Sequence, residues 1–400
     1  MKVASVIVDI APPKNVGKFA FLHLGFRPFF IGASIFAIIA MLLWVGIYNF
    51  AWDIQVYPPI TWHAHEMIFG YSMAVIAGFL LTAIKNWTGK QTLDGYPLLL
   101  LFLLWAVTRI LPFIGIPIAV IAVTDNLFLL LLTMAVFWPF FTTQSWKNLI
   151  FVGVMLLFLI SNIIFYLGML DVVSNGTHYG LYSGLYLIIT LILIMGRRVI
   201  PFFIEKGVGY PVQLKNWSWV DKSNLLIFIL FCIADLFDPN SYATVGLAGL
   251  SAIINSIRLV GWHTKGIWNK SLLWVLYVAY TFIIFGLILK VLVVTSEISP
   301  YLAIHAFALG GVAMLTVGMM ARVILGHTGR NIFAPPKALW WIFILLVCSS
   351  IARVILPILD SSSYMLWIAI SQGLWIIVFG WFLYIYFVML IYPRIDGRYG

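Results

Sequence analysis

Charge is the scarcest ingredient of this chain: Asp, Glu, Lys and Arg together make up 9% of 400 residues, against about 25% in an ordinary soluble domain. So few charges cannot cover a water-exposed surface of this size. With 63% hydrophobic residues and a mean hydropathy of +1.07, the class is a polytopic membrane protein. Cysteine is nearly missing too. Cys232 and Cys348 both fall inside apolar runs, which excludes a disulfide framework and a zinc motif. No Cys-x-x-Cys-His occurs, so no c-type haem is attached. The 13 Asp and Glu are dispersed and offer calcium or magnesium no cluster. No Ser or Cys stands beside an ordered His–Asp pair, and no Walker or dinucleotide loop exists. The net charge of +10 comes from Lys and Arg spread between apolar runs, not from a dense basic tract, which excludes nucleic acid as a partner.

What is present is a succession of about twelve apolar spans, near 29–50, 62–85, 96–113, 117–141, 148–168, 178–197, 222–238, 242–262, 271–293, 300–324, 338–357 and 364–391. The expected fold is all-α, a single transmembrane domain over 29–391. A polar, basic segment over 1–28 precedes it without a cleavable secretory signal, and a tail follows over 392–400. Of the 23 Lys and Arg, only Arg109, Lys290 and Arg353 fall on the outer side when the N-terminus is cytoplasmic. The outer side carries Asp53, Asp171, Asp238, Glu297 and Asp360 instead. The positive-inside rule therefore places both termini in the cytoplasm.

The chain echoes itself at an offset of 240: His65 meets His305, Gly70 meets Gly310, Gly78 meets Gly318, and Thr88-Gly89 meets Thr328-Gly329. The spans that follow also end alike, Thr108-Arg109-Ile110-Leu111-Pro112 against Ala352-Arg353-Val354-Ile355-Leu356-Pro357. With span 6 opening near His178, the pattern predicts three pseudo-repeats of four helices, each with a histidine at the outer mouth of its second helix. Sites commonly lie where such repeats meet.

The chemistry concentrates in Trp62-His63-Ala64-His65-Glu66-Met67. Ionisable groups at membrane depth are costly to place and mark function by default. Residues two apart point about 200° from each other on a helix, so His63 and His65 serve different flanks. Four outer imidazoles, His63, His65, His178 and His305, suit iron porphyrin or copper better than structural zinc. In the expected arrangement His65 and His305 ligate one haem, while His63 and His178 hold a second redox metal. Glu66, one turn from His63, supplies protons or orients the ring. Bland roles stand beside each of these: interfacial anchoring for His63 and His65, close helix packing around Gly310 and Gly311, and a helix-start carboxylate for Glu66. Arg109 and Arg353 either neutralise haem propionates or pair with Asp125 and Asp235.

Several stretches resemble the NnrS family of bacterial membrane proteins: Gly25-Phe26-Arg27-Pro28-Phe29-Phe30, Trp62-His63-Ala64-His65-Glu66-Met67, Gly78-Phe79-Leu80-Leu81-Thr82-Ala83, Asn86-Trp87-Thr88-Gly89, Arg198-Val199-Ile200-Pro201, His305-Ala306 and Gly326-His327-Thr328-Gly329-Arg330. The family tends to have Gly-Gly-Arg before Val-Ile-Pro, where this chain has Gly196-Arg197-Arg198. The resemblance implies a twelve-span inner-membrane protein containing haem and copper, tied to nitric oxide metabolism or resistance. In plan the chain is also similar to heme–copper oxidases and nitric oxide reductases, where three helical pseudo-repeats carry the metal-binding histidines; this is an architectural analogy. The expected function is a nitric oxide reductase-like oxidoreductase that turns NO into N2O at a haem, b-type, with copper or a second iron. It needs an external electron donor. The alternative is an NO-binding or sensing protein, or a haem- or copper-handling one, without turnover.

Overall fold

Leu-, Ile- and Phe-rich stretches punctuated by proline and glycine fold into twelve helices in the computed structural model, which describes residues 18–400 apart from 53, 55 and 297. Most of the expected N-terminal segment over 1–28, and the outer acids Asp53 and Glu297, lie outside the described residues. The helices are α1 (Phe26–Phe50), α2 (Pro59–Thr88), α3 (Gly95–Ile110), α4 (Ile118–Thr142), α5 (Leu149–Met169), α6 (Gly176–Gly207), α7 (Ser218–Phe237), α8 (Tyr242–Gly261), α9 (Ser271–Thr295), α10 (Pro300–His327), α11 (Ala338–Leu359) and α12 (Tyr364–Ile391). No strand occurs among the described residues. The protein is all-α and multi-pass: eleven helices are long and apolar enough to cross a bilayer. The twelfth, α7, has 20 residues but is interrupted by Asp221, Lys222 and Asp235.

The most enclosed helices are α2 and α10, with 83% and 78% of their apolar windows buried, whereas α3 and α12 bury only 33%. A hydrogen bond of 2.9 Å between Tyr71 Oη and Thr316 Oγ1 ties the two central helices together. They are also built alike. Each opens with proline in its first turn, Pro59 and Pro300, where the missing N–H costs nothing. Regular α-helix stops at His65 and at His305, and a π-helical stretch follows, Glu66–Ser72 and Ala306–Ala313. At each exit stands a threonine whose hydroxyl donates one turn back, Thr88 as the last residue of α2 to Ile84 at 2.7 Å and Thr328 just past α10 to Ile324 at 2.6 Å. The next residue is a left-handed glycine, Gly89 at φ 73° and Gly329 at φ 77°. The offset-240 echo is thus an echo of backbone geometry. The threefold plan is not carried that far, because α6 is α-helical from Gly176 to Gly207.

The Arg27 side chain closes the bundle at the end where Lys and Arg gather. It is fully buried and donates to the carbonyls of Met389, Leu390 and Tyr392 at 3.1, 2.9 and 2.8 Å, and to Gly400 at 2.6 Å. The last carbonyls of a helix have no partner of their own, so one guanidinium satisfies the exit of α12 and holds it against α1. Beside it Arg394 donates to Asp396 and holds that carboxyl down to about 2, which keeps it charged. Arg27→Ala should lower the free energy of unfolding in detergent by about 2 kcal/mol, the scale of a lost charge-assisted bond set. An unchanged unfolding curve would show that the exit of α12 is held by something else.

Candidate functional site

Two neighbouring polar groups occupy the end of the bundle that carries few basic residues. The first is buried between α2, α3, α4 and α5. Arg109 Nη1 donates to Glu66 Oε2 at 2.8 Å, and Nη2 donates to Asp125 Oδ1. His65 places Nδ1 3.2 Å from Glu66 Oε1 and Nε2 2.9 Å from Asn162 Oδ1, with Asp125 Oδ2 at 3.4 Å from the same nitrogen. The Asn162 amide group points at Asp125 Oδ2 (3.1 Å) and Asn126 Oδ1 (3.3 Å), which fixes its carbonyl toward the histidine. Tyr166 donates to Asp125 Oδ2 at 3.1 Å, and Tyr57 donates to Tyr166 at 3.2 Å.

An oxygen stands against each ring nitrogen of His65, and Arg109 sits between the two carboxylates, the kind of pairing an apolar interior demands. The π-helical stretch makes the room. A Cβ on Gly70 would come within 2.8 Å of Glu66 Oε2, and the Gly70 carbonyl, which takes the Met73 N–H, also accepts from Trp105 Nε1 at 3.1 Å. Such π-helical turns recur at functional sites.

The second group lies on the other flank of α2. His63 stacks on Trp44 of α1 with centroids 4.4 Å apart, whereas His65 stacks on Phe165 of α5 at 4.3 Å, so the two histidines do face opposite ways. His63 Nδ1 is buried without a hydrogen-bond partner. His305 donates Nδ1–H to the Tyr301 carbonyl at 2.7 Å, a bond that leaves Nε2 as the free, metal-competent nitrogen. His305 lies within electrostatic reach of both His63 and Arg353, and the first turn of α10 packs on the π-helical turn Ile351–Ile355 that carries Arg353. Arg353 meets no carboxylate among the described residues; its one hydrogen bond is a long one, 3.5 Å, to Tyr364 Oη.

The structure therefore sets His63, His305 and Arg353 within electrostatic reach of one another, while no hydrogen bond or ring contact joins His65 to His305. Arg109 takes the pairing alternative with Asp125, and with Glu66 as well. Arg353 does not reach Asp235: Lys290 does, at 2.8 Å to both carboxylate oxygens. His178 belongs to that neighbourhood, its ring tilted against Tyr182 with centroids 4.3 Å apart, and does not join His63. Among the described residues no three His, Cys, Asp or Glu side chains gather to hold a metal ion. Asn162, Tyr166, Tyr57 and Trp44 were not singled out in the sequence. Asn162 alone left a signal there, a carboxamide amid an apolar run.

Removing the guanidinium would strand two buried carboxylates. Arg109→Ala should lower unfolding stability by about 3–5 kcal/mol, the cost of breaking a buried ion pair on one side. A loss below about 1 kcal/mol in detergent unfolding would mean the network is hydrated rather than sealed.

The comparisons agree with the architecture. No curated protein matches the chain. The model of the NnrS protein family matches residues 20–394, nearly the whole of it, and the chain belongs to the NnrS family.

Proposed function

We propose that this protein acts on nitric oxide at a haem held by the mouth of His63, His305 and Arg353, most directly by reducing NO to N2O. The observation that carries the reading is a pair of imidazoles with unbonded nitrogens within electrostatic reach of a cation that has no carboxylate partner among the described residues. Family membership fits an NO-associated membrane protein. The donor set fits a haem: His63 and His305 would hold the iron through their unbonded ring nitrogens, and Arg353 would suit a propionate. When bound, the haem would supply one-electron chemistry. Two imidazoles also suit a low-coordinate copper ion.

The chain's own residues do the rest. Trp44 holds the ring of His63, and the Tyr301 carbonyl sets the tautomer of His305. Joining two NO molecules to N2O and water consumes two electrons and two protons. The electrons come from an external donor. For the protons we assign the row Tyr57, Tyr166, Asp125, His65 and Glu66, whose successive polar contacts run from 3.1 to 3.4 Å and end one helical turn from His63. Apolar helices let NO enter from the bilayer. The basic end of the bundle supports a cytoplasmic placement of both termini in a bacterial inner membrane, with the histidine mouth toward the periplasm.

A second reading, binding or handling without turnover, is favoured by one observation: no separate three-ligand metal site exists among the described residues, whereas pairing two NO molecules is helped by a second redox centre. Purified protein given NO and a chemical reductant should release one N2O for every two NO consumed, as read by gas mass spectrometry. Haem absorbance with NO binding but no N2O would establish the second reading. Absence of any haem band would sink both.

A further inference from the structure

At the opposite, basic end of the bundle lies a cavity of about 410 Å³ between the starts of α9 and α11 and the exit of α10. Its inner wall is Arg322. That side chain is only 8% exposed, yet it makes no hydrogen bond or ion pair among the described residues. Its guanidinium lies over the Phe203 ring, 3.5 Å from the centroid. Its five donors have no protein acceptor among the described residues and are left to find one in the cavity that the residue lines.

Everything else about the cavity adds positive potential. Lys270 and Lys337 line it, and no Asp or Glu does. Both lysines are also N-cap residues: α9 begins at Ser271 and the regular part of α11 at Ala338, neither with a side chain capping it. The leading N–H groups of a helix lack internal partners and carry the positive end of its dipole. Two such ends, Arg322 and two lysines therefore converge on one chamber. The mouth is different in kind. Trp340, Trp341 and Phe333 frame it, 38%, 60% and 54% exposed, with aromatic faces of the sort that sit at a membrane interface.

We propose that this cavity binds a phosphate-bearing anion, most naturally the headgroup of an anionic phospholipid, with Arg322 and the two helix starts gripping the phosphate. The aromatic rim then lies along the acyl chains. A bare phosphate ion shares the gripping chemistry but has no use for the rim or for the volume. The site is independent of the histidine mouth.

The test uses the full-length protein in nanodiscs of phosphatidylcholine alone, of phosphatidylcholine with phosphatidylglycerol, and of phosphatidylcholine with inorganic phosphate in the buffer. Melting temperature and lipid retained in native mass spectrometry are read together. Phosphatidylglycerol should raise the melting temperature and stay bound, with Arg322→Gln weakening retention by about tenfold or more. Lys147→Gln, an exposed cation at the same end but outside the cavity, should change nothing. A rise produced equally by inorganic phosphate, and lost in Arg322→Gln, would keep the anion site and make its ligand the free ion. If Arg322→Gln does not fold, the double variant Lys270→Gln with Lys337→Gln should weaken retention in the same direction. Retention of phosphatidylglycerol undiminished in both variants, or no preference for it over phosphatidylcholine, would overturn the proposal.

Discussion

Two carboxylates buried in a nearly charge-free bundle impose the constraint on which the rest of the outer half depends. Glu66 and Asp125 are 2% and 1% exposed, and an isolated carboxylate at that depth would be prohibitively costly. Arg109 bridges them and His65 contacts both, so the set is held as one unit. Its members come from α2, α3 and α4, with Asn162 and Tyr166 added by α5. The four helices are therefore locked in rotation as well as in position. Locking His65 toward α5 and Glu66 toward α3 leaves His63, two residues before His65, facing α1. The electrostatic cluster thus aims the neighbouring imidazole.

The paired π-helical turns show how one backbone plan supports two different surroundings. One extra residue per turn releases a carbonyl and swings the side chains before it relative to those after it. In α2 the gap is filled by the Glu66–Arg109 pair and by Trp105 reaching the Gly70 carbonyl. In α10 the matching region has no acid and packs on Phe282, next to Gly310. The polar side of the first copy became a sealed charge network, and the second copy kept an imidazole with a free nitrogen.

Much of this was legible before any coordinates. The apolar runs marked all twelve helices, and the punctuating prolines and glycines marked their ends. The opposite facing of His63 and His65 followed from helical period, and the pairing of Arg109 with Asp125 was one of two roles its position allowed. Two things were hidden. Periodicity does not register a single inserted residue, so the π-helical turns after His65 and His305 could not be seen, although the echo around them could. Sequence equivalence also paired His65 with His305, whereas packing gives each copy its own neighbours: Asn162 and Asp125 occupy His65, and His63 stands near His305. Arg353 and Asp235 sat at similar depth in the chain's plan, but Lys290 on α9 was nearer, which left Arg353 without an acid.

The haem content per polypeptide of three single variants, read from reduced-minus-oxidised spectra of purified protein, tests the central claim most directly. If His63 and His305 hold the redox group and His65 belongs to the buried charge network, His63→Ala and His305→Ala should lose the haem or change its axial spectrum, while His65→Asn retains it. Full haem in His63→Ala and His305→Ala, with loss confined to His65→Asn, would contradict the account.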